Sequence, residues 1–303
     1  MELLRFKTIS QFHKFRKLSQ PEHPLISVID VGDIKRLQDS EPLNLMLDFY
    51  CIALKRNFNG RMKYGQQEYD FEEGILTFLA PRQVFSIEVD NEGVFKHSGK
   101  ILMVHPDFLW NTPLTLKIKQ YEFFGYAVNE ALFLSDKEEL TIAGILENIS
   151  GECHSRIDTF SQDIIIAQLE LLFSYAQRFY QRQFFTRKIT SHKALEKFET
   201  LLNASFEDES LATNGIPRVQ AIAEALNMSP GYLSGLLKTL TGQSTQQHIH
   251  DKLIEKAKEK LSTTDLSVSE IAYELGFEHP QSFSKLFKTK TAQSPLEFRQ
   301  SFN

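Results

Sequence analysis

The sequence is poor in cysteine and has no long apolar run, and both absences narrow the class of protein. Its 303 residues contain two cysteines, Cys51 and Cys153, which form neither a CxxC pair nor a disulfide framework. We therefore expect both thiols to be reduced and buried. No apolar stretch approaches the roughly 20 residues that span a bilayer, and charges interrupt the N-terminal segment where a secretory signal would be apolar. These absences predict a cytoplasmic protein without a membrane segment.

Residue patterns that support catalysis are also missing. No Gly-rich phosphate loop, nucleophile elbow or paired-carboxylate motif stands out. The sole His-x-His pattern, His248–Ile249–His250, falls on a predicted helix, where residues two apart point to different faces. The N-terminal part of the chain has five histidines, and none of them forms a His-x-His pair: His13, His23, His97, His105 and His154. We predict no catalytic residue, no metal site and no cofactor, hence a protein that is not an enzyme.

The length of the chain predicts its number of domains, and the distribution of charge indicates where DNA could bind. A chain of this length exceeds the usual single domain and predicts two. Net charge is −5, but residues 216–303 carry 10 Lys+Arg against 9 Asp+Glu. Between His279 and Pro295 three lysines, Lys285, Lys288 and Lys290, occur without any acidic residue. A small basic face of this kind is compatible with DNA, because phosphate contacts are local.

The chain changes character twice. Residues 1–135 read as strands and turns: β-rich stretches at 43–54, 74–80 and 99–105 are separated by turn signals such as Asn59–Gly60, Asn91–Gly93 and Ser98–Gly99. This spacing predicts an antiparallel barrel or sandwich. Ser135 and Glu138 predict a capping box for a helix that follows. The apolar spacing over 161–181 predicts a second helix, either wholly in the core or carrying one stripe for a partner subunit.

These patterns define the predicted domains. Residues 1–184 form a strand-rich domain with helices over 136–183, residues 185–192 form a polar linker, and residues 193–303 form an all-helical domain. Within the last, we predict helices over 193–205, 217–226, 229–241, 245–261, 267–275, 280–290 and 295–302.

An internal repeat is the strongest signal in the sequence. Residues 238–244 (KTLTGQS) recur at 288–294 (KTKTAQS) with five identities in seven. Pro230 matches Pro280 at the same offset of 50, whereas Ala223 matches Ala272 at an offset of 49, so the second copy has one extra residue in its turn. Each copy reads as two helices joined by a tight turn, with helix-turn-helix units at 217–241 and 267–290.

The two units predict which residues lie inside and which face outward. Ser229 and Gly242 suit the start and end of one second helix, and Gly276 permits the turn of the other unit. The buried positions are Leu233, Leu237, Phe283 and Phe287, with small Ala223 and Ala272 at the helix crossings. The outward positions are Ser234, Gly235, Gln281, Ser284, Lys285 and Lys288. A helix of about 16 residues at 245–261 spans roughly 24 Å, which would place the two second helices about one DNA turn, roughly 34 Å, apart.

The segments LNMSPGYLSGLLKTLTGQS (226–244) and IAYELGFEHPQSFSKLFKTKTAQSPLEFR (271–299) resemble the AraC/XylS-type transcriptional regulators. The resemblance covers about 216–302, and FEEGILTFLAP (71–81) resembles the cupin-like sensing domain of many members more loosely. It implies an α+β protein with a cupin-like antiparallel β-barrel, trailing helices and an all-α domain of two helix-turn-helix units joined by a linker helix.

The resemblance also implies residue roles. The family's base-reading positions in the first unit fall on small residues, Gly231, Ser234 and Gly235, next to Pro230. The second unit offers Gln281, which can pair with adenine, and Lys285, which can pair with guanine, so we expect it to supply most direct readout. Expected phosphate contacts are Lys238, Thr241, Lys288 and Lys290. Two departures stand out: Ala292 replaces the usual glycine, so the second helix should end without a favourable left-handed residue, and His279 replaces the commoner capping Ser or Asp before Pro280.

An effector pocket in the N-terminal domain is a further expectation. Aromatic residues on or near its strands are candidate ligand contacts: Phe49, Tyr50, Phe58, Tyr64, Phe78, Phe85 and Trp110. Arg61, Lys63 and Arg82 are candidate cations for an anionic effector. Most of these residues have a simpler interpretation as core or solvated surface.

The sequence thus predicts a sequence-specific regulator that binds double-stranded DNA as a homodimer and responds to a small-molecule effector. On the resemblance alone we expect an activator, with RNA polymerase as a further partner. Two alternatives stay open: a constitutive regulator whose barrel only dimerises, and a cupin-type enzyme, which the missing metal ligands disfavour.

Overall fold

The computed structural model describes residues 3–34, 43–56, 74–87, 98–126, 130–155, 160–186, 188–206, 211 and 214–301. The chain divides into two compact units, Met1–Gln183 and Phe184–Asn303. Over the described ranges, no helix combines the length and the hydropathy needed to cross a membrane. The predicted turns at Asn59–Gly60 and Asn91–Gly93 lie outside the described residues.

The N-terminal unit is built on two sheets. Its strands and first helices are β1 (Leu3–Phe6), α1 (Ile9–Phe15), β2 (Ile26–Asp30), β3 (Leu43–Leu47), β4 (Tyr50–Arg56), β5 (Gly74–Leu79), β6 (Val84–Ile87), β7 (Ser98–Val104), α2 (Leu114–Lys117) and β8 (Leu132–Leu134). Short 3₁₀ turns occupy Val31–Asp33, Pro106–Leu109, Ile118–Gln120 and Glu122–Gly125. One sheet has the order β1-β3-β6 and the other β2-β7-β4-β5-β8.

Side chains from both sheets share a core, which explains the strand pattern of the sequence. Leu45 and Leu47 from β3 belong to the same buried cluster as Cys51, Leu79 and Met103 from the five-stranded sheet. The α+β class with strands first and helices last is confirmed, but the described strands form two sheets and do not close into one barrel. The parallel pairing of β1 with β3 also departs from a purely antiparallel arrangement.

Two sequence predictions in this unit need correction. The stretch 43–54 is two strands in different sheets, because the chain bends at Asp48–Phe49 between β3 and β4. The predicted turn at Ser98–Gly99 is wrong, since both residues lie in β7 opposite Arg56 and Lys55. Gly99 has φ 132°, and a Cβ there would overlap the backbone carbonyl oxygen of Leu54. The glycine therefore allows a close backbone approach inside a strand rather than a turn.

Two long helices, α3 (Asp136–His154) and α4 (Ser161–Thr186), follow the strands. The predicted capping interaction at the start of α3 is confirmed: Ser135 N donates to Glu138 Oε2 at 3.0 Å. Arg182 on α4 pairs with Glu138 at 2.6 Å and donates to the Phe133 carbonyl at 2.7 Å. The buried Gln183 accepts from Phe133 N at 2.8 Å and donates to the Ala131 carbonyl at 3.2 Å. These bonds fix α4 to β8 and to the start of α3.

One face of α4 is buried and another is exposed, so the helix does not lie wholly in the core. The predicted apolar positions are all buried: Ile165, Leu169, Leu172, Ala176 and Phe179. A second apolar set, Phe160, Ile164 and Leu171, has 66%, 45% and 45% of its surface exposed. The helix therefore carries an exposed stripe as well as a core face.

Over its described residues, the C-terminal unit consists mainly of helices. They are α5 (Lys188–Ser205), α6 (Val219–Ala225), α7 (Pro230–Thr241), α8 (Thr245–Thr263), α9 (Val268–Glu274), α10 (Pro280–Thr291) and α11 (Pro295–Gln300). Helix α5 begins at Lys188, so residues 188–192 of the predicted linker are helical. One continuous apolar cluster joins α5, both helix pairs and α8. Helix α8 is thus the central support of the unit.

Candidate nucleic-acid interface

The first helix-turn-helix unit consists of α6 and α7. Ser229 caps α7 as predicted, its hydroxyl oxygen accepting a hydrogen bond from Tyr232 N at 3.2 Å, and Pro230 occupies the first turn. The helix ends at Gly242, whose left-handed conformation (φ 79°) suits a residue without a Cβ. Leu233 and Leu237 are fully buried beneath it.

The second unit consists of α9 and α10. Ser267 and Glu270 form a reciprocal capping box at the start of α9, with bonds of 2.7 and 3.2 Å. His279 occupies the N-cap of α10 but its side chain makes no capping hydrogen bond. The helix ends at Ala292, which itself adopts the left-handed conformation with φ 61°. The helix thus ends, as expected, without a residue that favours the left-handed conformation, and the conformation carries strain because alanine has a Cβ.

The turns of the two units are built alike. Met228 N donates to the Ala223 carbonyl at 2.9 Å, and Phe277 N donates to the Ala272 carbonyl at 3.0 Å. Ala223 and Ala272 are both fully buried. The bonds correspond at an offset of 49 and the helices that follow at an offset of 50, so the extra residue of the second copy falls in its turn, as predicted.

The second helix of the second unit presents a polar face. Gln281, Lys285 and Lys288 are exposed and follow at intervals of four and three residues, which places them on one side of α10. Ser284 and Pro280 are half-buried beside them, and Phe283 and Phe287 are buried on the opposite side. The arrangement presents an amide and two ammonium groups in a row, suited to base edges and phosphates.

The corresponding face of α7 is smaller and more enclosed. Lys238 is exposed, Pro230, Gly231 and Ser234 are half-buried, and Gly235 is buried. The prediction that Gly235 faces outward is therefore wrong, although its counterpart Lys285 is exposed. A glycine contributes no side chain to keep its backbone accessible once neighbouring groups pack over it.

Two predicted phosphate contacts have partners within the C-terminal unit. The Thr241 hydroxyl donates to the Leu237 carbonyl at 2.8 Å and lies 2.8 Å from His248 Nε2. Lys290 Nζ donates to Asp251 Oδ1 at 2.8 Å. Asp251 and Gln243 are not among the predicted site residues. The side-chain amide of Gln243 donates a hydrogen bond to Asp251 Oδ2 at 2.8 Å. The signal that points to this contact is the repeat itself, where Leu240 in the first copy is replaced by Lys290 in the second.

Ionisable groups around these helices have perturbed pKa values with simple causes. Burial lowers the pKa of His248 and of His250, which keeps both imidazoles neutral near neutral pH. Hydrogen bonds from Ser267 and Ser294 lower the pKa of Glu270 and Glu297 in their capping boxes. The stabilisation from these carboxylates is present above their unfolded pKa and is lost as pH falls through the lowered folded values.

Replacing Ala292 by glycine should stabilise the C-terminal unit by about 1 kcal/mol, because it removes the cost of a left-handed alanine. The matched variant is Gly242→Ala, at the same position of the first copy, where a Cβ would meet nothing within 4 Å. It should therefore lose a similar amount through conformation alone. Hydrogen exchange of peptides from residues 214–301 in the full chain measures both. Changes of the same sign in the two variants would contradict the explanation.

The candidate effector residues of the N-terminal unit do not converge on one place. Phe49 is fully buried near Phe12, and Phe85 packs against the same cluster. Tyr50 and Phe78 instead contact Phe124, with ring centroids 5.0 and 5.5 Å apart. Arg82 and Trp110 are exposed, whereas Phe58, Arg61, Lys63 and Tyr64 lie outside the described residues. Four of the described aromatic candidates thus belong to two separate groups, Phe49 with Phe85 and Tyr50 with Phe78.

The two cysteines are buried and free, as expected. Burial raises the pKa of the Cys51 thiol to about 12 and that of Cys153 to about 11, so both are protonated near neutral pH. In the part of the chain that the structure describes, no group of three or more His, Cys, Asp or Glu side chains is placed to hold a metal ion.

Comparison with known proteins decides the family. A family model described as a helix-turn-helix domain matches residues 222–301. Over 266 residues the chain is 30% identical to RhaS, an HTH-type transcriptional activator of Salmonella schwarzengrund, and the match covers 84% of this chain and 86% of RhaS. The chain belongs to the AraC/XylS family. This membership confirms the resemblance seen in the sequence.

Two further matches each cover about a third of this chain or less. The Escherichia coli HTH-type transcriptional regulator YijO is 32% identical over 84 residues, which cover 28% of this chain and 30% of YijO. The solved C-terminal domain of the response regulator yesN from Fusobacterium nucleatum is 32% identical, with a TM-score of 0.32, over 35% of this chain and 98% of that domain. The chain spans less than a third of YijO, so that match concerns one domain.

Proposed function

We propose that this protein activates transcription by reading a two-element DNA site, one element with each helix-turn-helix unit. The observation that carries the proposal is the row of Gln281, Lys285 and Lys288 on the exposed side of α10. An amide and an ammonium group at that spacing supply the hydrogen-bonding groups that distinguish adenine and guanine in the major groove. The relative RhaS, named as an activator, supports the sign of regulation.

The two units contribute differently in this proposal. Helix α10 supplies direct base readout through Gln281 and Lys285, and Lys288 neutralises a phosphate. Helix α7 offers Lys238 and the half-buried Gly231 and Ser234, which suit backbone positioning and sensitivity to groove shape. Both helices rest on α8, whose 19 residues span roughly 28 Å. We therefore expect the two elements to lie about one helical turn, roughly 34 Å, apart on the DNA.

Selection of bound fragments from a random DNA pool, repeated at two salt concentrations, tests the proposal. Enrichment of a site with two elements about one turn apart is the expected result. The DNA element that α10 contacts should have a well-defined base sequence, and the element that α7 contacts should be more degenerate. Weak, salt-sensitive binding without enrichment would contradict sequence-specific reading by this chain.

We also propose that the protein is a homodimer whose interface includes the exposed stripe of α4. Phe160, Ile164, Ala167 and Leu171 follow at intervals of four, three and four residues, and all are exposed. This is the spacing of a two-helix seam, in which each apolar residue inserts between residues of a second helix. A second copy of the chain supplies such a helix, and a two-fold axis pairs the stripe with itself.

The variant Leu171→Glu should convert dimer to monomer, because a carboxylate would be buried without a partner in the seam. Sedimentation velocity measures the change. The control is Leu140→Glu, which places the same charge on α3, at a leucine that is 69% exposed, and should leave the dimer intact. Equal dissociation in both variants would show that α4 is not the interface.

Control by a small-molecule effector stays a prediction of the sequence. Four of the described candidate contacts fall into two separate aromatic groups, so no single pocket supports it. Thermal-shift measurements against a metabolite panel distinguish an effector-controlled regulator from a constitutive one, since a ligand that binds the folded chain raises its stability. Binding to chromosomal DNA places the activity in the cytoplasm in either case.

A further inference from the structure

One carboxylate on α8 contacts both helix-turn-helix units. Asp251 Oδ2 accepts a hydrogen bond from Gln243 Nε2 at 2.8 Å, and Asp251 Oδ1 pairs with Lys290 Nζ at the same distance. Gln243 directly follows the C-cap of α7, and Lys290 lies in the last turn of α10. Each oxygen of this carboxylate therefore holds the C-terminal end of a different second helix.

Asp251 lies outside the internal repeat and connects its two copies through Gln243 and Lys290. Residues 238–244 and 288–294 differ at two positions, where Leu240 and Gly242 are replaced by Lys290 and Ala292. The replacement of Gly242 by Ala292 affects the end of the second helix, as described above. The replacement of Leu240 by Lys290 supplies the ammonium group that pairs with Asp251. Within these seven residues the second copy thus carries one polar substitution, and its side chain contacts the helix between the copies.

We propose that Asp251 is a positioning residue that sets the spacing at which α7 and α10 engage DNA, and that Lys290 serves this contact rather than a phosphate. The inference rests on the proposed reading of two elements. The apolar cluster beneath α7, α8 and α10 holds these helices together, but apolar contact is not directional. Two hydrogen bonds to the two oxygens of one carboxylate are directional and fix the rotation of both helix ends.

Loss of the Asp251 contacts should affect DNA recognition more than the stability of the fold. The Asp251 side chain is 42% exposed and that of Lys290 is 28% exposed. A pair this accessible to solvent stabilises the fold little. A small rotation of either second helix, however, changes which base step its side chains reach. Loss of the contact should therefore appear as a loss of spacing preference.

The test compares the full chain with Asp251→Ala and Lys290→Met, using Glu255→Ala as the matched control. Glu255 lies on the same helix and pairs with Lys252 at 3.0 Å, so its removal changes the charge of α8 by the same amount. The DNA probes carry the two selected elements at the selected spacing and at spacings one base pair shorter and longer. Dissociation constants at fixed salt give the spacing preference of each variant.

The wild type and Glu255→Ala should prefer the selected spacing, and both Asp251→Ala and Lys290→Met should lose about threefold or more of that preference. The double variant should lose no more than Asp251→Ala alone, because Asp251→Ala already removes the contact of Lys290. Lys290→Met tests the same contact at a surface position if Asp251→Ala impairs folding.

Two results would overturn the inference. One is a spacing preference in Asp251→Ala equal to that of Glu255→Ala. The other is a Lys290→Met variant that weakens all DNA alike and lowers the salt slope even in the Asp251→Ala background, since that identifies Lys290 as a phosphate contact. A wild type that shows no spacing preference would instead refute the two-element function itself.

Discussion

Gly276→Ala should destabilise the C-terminal unit by about 2–4 kcal/mol, the largest effect that we expect from one small substitution. Gly276 has φ 79°, where an alanine is strained by about 1–2 kcal/mol. A Cβ at this position would also lie 2.9 Å from the backbone of Gly215 and Ile216. Because both neighbours are main chain, the clash is relieved only by moving the segment that packs on the turn.

The first unit provides a control for the strain alone. Asn227 occupies the equivalent turn with φ 55°, and asparagine tolerates this conformation better than alanine does. We expect Asn227→Ala to cost about 1 kcal/mol, without a clash comparable to that at Gly276. Hydrogen exchange of peptides from 214–301 measures both variants in the full chain. A Gly276→Ala variant no less stable than Asn227→Ala would show that the close approach to Gly215 is unimportant.

Lys285→Ala should weaken binding to the selected site by about 1–3 kcal/mol and relax base preference at one position. The reason is that Lys285 is exposed at the centre of the polar face of α10, where the proposal assigns it to a base edge. Lys288 lies one turn further along the same face. Lys288→Ala should instead weaken binding to all DNA sequences alike, and it should reduce the salt dependence of the affinity by about one phosphate contact. Both variants remove one exposed lysine from the same helix, so each controls for the other.

Affinity measured on selected and random DNA over a salt series separates the two roles. Lys285→Ala should change the ratio between the two DNAs, and Lys288→Ala should leave the ratio unchanged. If both variants lower binding to selected and random DNA equally, the assignment of Lys285 to a base is wrong. The second unit would then act mainly through the phosphate backbone.

The helical half of the molecule follows closely from its sequence because its signals are local. Ser229, Ser267 and Ser294 cap the helices that they precede, and the hydrogen bonds involve residues three positions along the chain. The duplication made these signals stronger, since each feature appears twice. The buried pairs Leu233 with Leu237 and Phe283 with Phe287 likewise follow from helical period alone.

The strand half was less accessible to prediction. The stretch 43–54 reads as one strand, yet a bend at Asp48 sends its two halves into different sheets. The pairing of β1 with β3 joins residues about forty positions apart, and nothing local in either segment specifies its partner. Gly99 suggests a turn in the sequence but lies in a strand. A glycine is needed there because a Cβ would overlap the Leu54 carbonyl on the neighbouring strand.

By itself, the sequence determined the family, the duplicated helix-turn-helix architecture, the cap at Ser229 and the apolar face of each second helix. These properties depend on residue types at fixed short spacings, which the chain displays directly. Tertiary structure alone decided that Gly235 is buried, that Thr241 and Lys290 have partners within the unit, and that Asp251 links both second helices. Such contacts depend on which side chains packing brings together across 7 to 39 positions, and no periodicity in the sequence records that.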